Sequence, residues 1–154
     1  MIVPGRGSQE MLVAEPNALR RPSSGGPYPW LTQELTWFSC LPARKNGGGE
    51  AFVAHTADGL RYTFDWEAAF HEPDVASPST VQVITAARRR VELYATKVED
   101  RFGNWVAYRY SNASGAPVRL EAITSSDGRS ITLAYNARGH VEQISNGTQI
   151  VRYR

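Results

Sequence analysis

Cysteine occurs once in this chain of 154 residues, at Cys40. One thiol excludes an intramolecular disulfide and any metal site built from cysteines. Within "WFSCLP" it reads as a small buried apolar residue. Lysine is nearly absent, Lys45 and Lys97 standing against many arginines. Charge imbalance is small as well: a formal net charge of +2 generates little field to attract nucleic acid, and none is expected as a partner. The run Arg88-Arg89-Arg90 is more simply a solvated strand end than a phosphate contact. No apolar stretch has the length of a membrane-crossing helix, and "MIVPGRGSQE" lacks the apolar run of a signal peptide, so no membrane insertion is expected.

Motifs that carry chemistry are equally scarce. His55, His71 and His140 are scattered. His71-Glu72 opens like the zinc motif HExxH, but Pro73 follows and no second histidine lies four residues on. No serine occupies a GxSxG elbow, and no glycine-rich phosphate loop precedes a helix. Asp58, Asp100 and Asp127 fall at turns, where bonding back to the backbone accounts for them. A glycosidase would need two such carboxylates facing across a cleft, and the spacing gives no sign of that. The expectation is no catalytic residue, no metal, no cofactor and no enzymatic activity.

What is present is ordinary for a folded chain: 42% hydrophobic residues, enough for one core. Residues 1–29 carry closely spaced Pro and Gly and read as a flexible, loosely attached lead-in, with a short helix or strand at "QEMLVAE". Pro27 to Pro42 concentrates Trp30, Leu35, Trp37, Phe38 and Leu41, a segment expected to be pinned onto a core. "ARKNGGGE", Ala43 to Glu50, reads as a flexible loop. Phe52 to Thr56 and Leu60 to Phe64 flank Asp58-Gly59, a strong hairpin signal. Asp65 to Thr80 has little β character and is expected as a helical turn or loop, with Pro73 and Pro78 stopping any longer helix. Val81 to Ala86 is apolar and β-branched. After it Val91, Leu93 and Ala95 alternate with Glu92, Tyr94 and Thr96.

Beyond residue 96 one pattern is written twice. "RFGNWVAYRYSNASG" and "SDGRSITLAYNARG" each hold a glycine turn, a strand ending in tyrosine, and a second glycine turn. Gly103 and Tyr110 recur as Gly128 and Tyr135, an interval of 25 residues. The second turns close at Gly115 and Gly139, followed by the short strands Val118 to Ile123 and Val141 to Ile144. A third start, "ISNGTQIVRYR", ends the sequence. Val106, Tyr108 and Tyr110 should share one strand face, as should Ile131, Leu133 and Tyr135. Each tyrosine should bury its ring and leave its hydroxyl at the wet rim. A single hairpin cannot bury its apolar face alone, so the repeat predicts an antiparallel sheet extended by stacking.

These residues resemble the YD-repeats of Rhs (rearrangement hotspot) proteins and of the related insecticidal toxin-complex shells. The unit of that family is a Gly turn, a strand ending in Tyr, then Asp or Asn, a Gly-closed turn and a short apolar strand. The second copy offers Gly128, Tyr135, Asn136, Gly139 and Val141. The first offers Gly103, Tyr110 and Gly115, with Ser111 where the family has Asp. "WLTQELTWFSCLP" and "GGGEAFVAHTADGLRYTFD" resemble the region leading into such repeats, so the likeness covers roughly residues 30–154. It implies an all-β fold: an antiparallel strip of β-hairpins, part of a β-cocoon. Residues 1–29 would be the lead-in, 30–95 a pre-repeat β region and 96–154 about two and a half repeats. It also implies a structural function, enclosing a C-terminal toxin domain until delivery to a competitor. The implied partners are the remainder of a shell or another copy at the exposed sheet edge, the enclosed toxin, and secretion machinery such as the type VI system. The implied location is the bacterial cytoplasm before export. The family's self-cleavage motif around DPxG has no counterpart, since "EPDV" at Glu72 to Val75 lacks the glycine, so the chain is expected to be one piece of a shell. A separate reading, a carbohydrate-binding β module, rests on the four tryptophans and seven tyrosines, with Trp66, Trp105 and Tyr108 as stacking candidates.

Overall fold

The computed structural model describes residues 2–3, 7–18, 20–77, 84–111 and 117–153. Among them every regular element is a strand, so the fold is all-β, an antiparallel strip of hairpins. Two short strands, β1 (Ile2–Val3) and β2 (Gly7–Ser8), pair with each other. The other eleven form one sheet: β3 (Leu12–Val13), β4 (Trp30–Leu31), β5 (Trp37–Leu41), β6 (Ala51–His55), β7 (Arg61–Ser77), β8 (Ile84–Glu99), β9 (Trp105–Ser111), β10 (Arg119–Ser125), β11 (Ser130–Tyr135), β12 (Val141–Ser145) and β13 (Ile150–Arg152). Their spatial order is their chain order, each strand pairing only with its sequence neighbours. The connections therefore alternate between the two ends of the sheet.

The core lies under β3 to β8. Adjacent residues of a strand point to opposite faces, and both faces of β5 are covered. Phe38, fully buried, packs with Ala54, Tyr62 and Phe64 on one side. Trp37 packs with Val53, Tyr28 and Ala14 on the other. The aromatic segment is thus pinned as its composition suggested. The lead-in differs from expectation. Tyr28 is 1% exposed, Ala14 donates its N–H to the Pro29 carbonyl at 2.8 Å, and Leu12–Val13 is an edge strand of the sheet. This stretch is anchored rather than loose because Ala14, Ala18 and Tyr28 pack on the Trp37 face. Cys40 also departs from expectation, being exposed near the end of β5.

Two further corrections concern residues 43–77. The segment expected as a turn or loop from Asp65 is the outer part of β7, paired with β8 as far as Ser77↔Ile84. Pro73 is accommodated because the register shifts between Glu72 and Val75; a bulge spares the ladder the N–H that proline lacks. The strong β pattern of β8 supplies the partner that weak local propensity could not foretell. "ARKNGGGE" is docked at its start rather than loose. Lys45 donates its backbone N–H to Asp65 O at 2.7 Å, and Asn46 exchanges two bonds with the Glu67 backbone at 2.8 and 2.9 Å. Arg44 pairs with the Glu67 carboxylate.

From β9 onward the sheet is a single layer. The cross-strand rows Tyr108↔Ile123↔Ile131 and Leu133↔Ile144↔Val151 place the apolar residues on one face, as alternation predicted. No second layer covers that face among the described residues. Ile131 is 41% and Val151 52% exposed, against 0% for Phe38.

Candidate functional site

The repeated hairpins are the part of the chain that most resembles a built device. Four turns share one backbone pattern, in which the first residue's N–H donates to the fifth residue's carbonyl and the fourth residue's N–H to the first residue's carbonyl. They begin at Thr56, Asp100, Ser125 and Asn136, with first bonds of 2.9, 2.9, 3.0 and 2.9 Å. The fourth residues are Gly59, Gly103, Gly128 and Gly139, all with φ between 84° and 89°. At Gly128 a Cβ would meet no neighbour, so glycine is required there by φ alone.

The first residue comes in two chemistries. Asp100 Oδ1 accepts the N–H groups of Phe102 and Asn104 at 2.7 and 3.0 Å, and Asn136 Oδ1 accepts those of Arg138 and His140, both at 3.0 Å. Where the first residue carries a hydroxyl, an aspartate two places on takes over: Ser125 Oγ donates to Asp127, and Thr56 Oγ1 to Asp58. The Asn104 amide, and then the backbone N–H groups, hold the Asp100 carboxyl below its usual range; the Ser125 hydroxyl does the same for Asp127. Since folding lowers both, their support for the turns is present above the ordinary aspartate range. It is expected to be lost as pH falls through the lowered values, which a carboxyl NMR titration would record.

The tyrosines are the second repeated part. Tyr110 Oη donates to Ala95 O at 2.9 Å, and Tyr135 Oη to Leu120 O at 2.7 Å. Donor and acceptor both advance by 25 residues. A bulge lies opposite each tyrosine, with Glu121 as the extra residue facing Tyr110 and Glu142 as the one facing Tyr135. The hydroxyl is therefore not left at a wet rim as expected; it clamps the backbone of the preceding strand. Tyr110→Phe and Tyr135→Phe are each expected to lower stability by about 1 kcal/mol in urea unfolding. Burial, with Tyr108 and Tyr94 adding to it, pushes the Tyr110 phenol up to about 12. Folding raises this pKa, so the stabilisation is complete below pH 10 and lost as pH rises toward 12. An ultraviolet phenolate titration should show an ionisation near pH 12 that is absent from Tyr110→Phe.

Between the turns at Asp100 and Ser125 lies an open cleft of about 420 Å³. Its floor is Val98, Val106 and Tyr108, and its rim carries Asp100, Asn104 and Asp127. Ser126 ties the two turns together, its N–H reaching Trp105 O at 2.9 Å and its Oγ accepting from Trp105 N at 3.2 Å. Of the stacking candidates, Trp105 and Tyr108 both line this cleft, from positions that alternate to opposite faces of β9, with Lys97 Nζ 5.8 Å from the Trp105 ring centre. Trp66 does not join them. It packs against Tyr110, which also meets Tyr94, with ring centroids 5.9 and 5.5 Å apart. No family model, curated protein or solved structure matches the chain.

The remaining sites fall into place around these. Gly115 and Asn112 lie outside the described residues, as do Val81 to Val83 of the expected strand. No group of three or more His, Cys, Asp or Glu is arranged to hold a metal among the described residues. His71 and His140 are exposed and far apart in the ladder, while His55 stacks edge-on to Tyr28 at 5.3 Å. Sequence reasoning missed a buried polar cluster: Asp65, Thr96 and Lys45. Thr96 Oγ1 donates to Asp65 Oδ1 at 2.5 Å, and Lys45 Nζ lies 2.8 Å from Thr96 Oγ1 and 3.4 Å from Asp65 Oδ2. Asp65 and Thr96 are the extra residues of two bulges. Nothing in the local sequence marks them, because the register that brings them together is non-local.

Proposed function

We propose that the chain is a wall segment of an Rhs-type shell, a structural element that encloses and sequesters a toxin domain for delivery to competitor cells. The observation that carries this reading is the repeated device. A turn, a strand and a tyrosine clamp recur at 25 residues in a sheet whose spatial order is its chain order. Such a sheet grows by adding hairpins without changing those already present. An apolar face left single-layered suits a wall whose inner surface meets cargo, and β13, which pairs with β12 alone among the described residues, has an edge that a further strand or another copy would extend. In this reading the protein acts by excluding access, needs no cofactor and catalyses nothing. The test is light scattering of the isolated chain over a concentration series. Self-association that weakens when Val151→Lys charges the edge is expected; a stable monomer at every concentration would overturn the proposal.

The cleft favours a second reading, a carbohydrate-binding module. An apolar floor with Tyr108 and a rim of carboxylate and amide groups is the surface chemistry that holds a sugar ring. Binding on a glycan array that disappears in Tyr108→Ala and Trp105→Ala would establish it. An array without binding removes it.

A further inference from the structure

The outer parts of β7 and β8 leave the sheet as a two-stranded arm. β6 pairs with β7 only up to Phe64, and β9 pairs with β8 only over Lys97–Glu99. From Ala68↔Glu92 to Ser77↔Ile84 no third strand flanks the pair among the described residues. Ten residues of β7, Ala68 to Ser77, span about 30 Å at roughly 3.3 Å each. Two-stranded ribbons are marginal alone in water, and a third strand is the usual remedy.

The two edges of the arm are not alike. The β7 edge carries two features that discourage pairing: Pro73, which has no N–H, and the bulge between Glu72 and Val75. The β8 edge carries neither between Ile84 and Ala95, since the extra residues of the first and second bulges, Thr96 and Asp65, lie beyond it or on β7. This open edge bears Arg88, Arg89 and Arg90. Alternation sends Arg89 to one face and its neighbours to the other, so a strand laid alongside meets positive charge on both faces. Arg88 makes no ion pair among the described residues. Arg89 reaches Glu67 at only 3.5 Å, and Arg90 pairs with Glu72 and Glu92 at 3.0 and 2.8 Å while remaining more than half exposed. Exposed pairs of this kind are worth about 0–1 kcal/mol and exchange partners cheaply. Ile84, 63% exposed, and Val91, 50% exposed, bracket the arginines with apolar surface.

We infer that the outer edge of β8, Ile84 to Val91, receives an extended acidic segment as a third strand. Main-chain bonds supply the pairing. Consecutive Asp or Glu residues face Arg88, Arg89 and Arg90, and apolar residues on either side cover Ile84 and Val91. The added strand lies in line with β9, which already occupies the same edge at Lys97–Glu99. This inference stands independently of the shell reading, since it concerns the arm and not the β13 edge.

The test is fluorescence anisotropy of the whole chain with a labelled seven-residue peptide holding three central glutamates between valines. Binding is expected, weakened at least tenfold by N-methylation of alternate peptide nitrogens and abolished by the triple substitution Arg88→Glu, Arg89→Glu, Arg90→Glu. Thr85→Pro with Ala87→Pro keeps the charge and blocks the edge, and circular dichroism checks that the sheet survives in each variant. Loss of binding in the proline variant supports strand addition. Equal binding of the N-methylated peptide, full binding by the proline variant, no binding at all, or binding of a single-stranded oligonucleotide in preference to the peptide would each overturn it.

Discussion

Replacing Phe38 by alanine is expected to lower the unfolding free energy by about 3–5 kcal/mol, the largest loss from one side chain in this protein. Phe38 is fully buried in β5, opposite Ala54 on β6 and Trp30 on β4, and packs with Tyr62 and Phe64 of β7. Core clusters cover both faces of β5, so a cavity at Phe38 is walled in on both sides. A domain has about 5–15 kcal/mol in all, so the variant should stand close to unfolding at room temperature. The informative control is Ile131→Ala in β11. Ile131 is 41% exposed on the uncovered face, and its truncation should cost under about 1 kcal/mol. Urea unfolding of the two variants measures the asymmetry directly. Equal losses would mean that the single-layered half is as tightly packed as the rest, and the division of the sheet into a cored part and a bare wall would fall.

That division follows from features a sequence shows unequally. The Asp-Gly turn at Asp58 and the phased pair at Gly103 and Gly128 were legible because a positive φ at a fixed place leaves a residue signature that local steric rules decode. The faces of β9 and β11 were legible because a strand alternates with period two. Both signals are local. The outer half of β7 was not legible, because "DWEAAFHEPDVAS" has no β pattern of its own and takes its conformation from β8, a strand on the far side of a connection. The docked loop at Lys45 was misread for the same reason: glycines announce flexibility, while the carboxylate and carbonyl that anchor the loop lie some twenty residues away at a bulge. The tyrosines were half legible. Their ring burial followed from amphipathic position, but the acceptor for each hydroxyl is a backbone carbonyl on the neighbouring strand, and a carbonyl has no residue identity to read. At the candidate cleft, Trp105 and Tyr108 lie three residues apart on β9, and strand alternation sends their side chains to opposite faces, so their common place at its lining was not readable. Trp66 shares only its aromatic character with them.

Asp65→Ala is expected to cost about 3 kcal/mol, and Thr96→Val about 1–3 kcal/mol, because each takes from the other buried polar group the bond between them and leaves it Lys45 alone. Asp65 is 6% and Thr96 3% exposed, and each is the extra residue of a bulge, one on β7 and one on β8. The two bulges turn a carboxylate and a hydroxyl toward each other inside the sheet, where water does not reach. Lys45 closes the group from outside; its side chain is 55% exposed, so its ammonium keeps contact with solvent while meeting both partners. That places the cost of Asp65→Ala at the lower end of what breaking a buried pair entails, since Lys45 is not stranded when the carboxylate goes. Thr96→Val is the sharper probe, because it keeps shape and β-branching and removes only the hydroxyl. The double variant should cost clearly less than the two single losses combined, since with both groups gone no buried polar atom of the pair has lost a bond. A coupling of about 0.5–3 kcal/mol in the cycle is the expected result. Strict additivity would show that the two groups do not depend on each other, and that the paired bulges hold the base of the arm by backbone geometry alone.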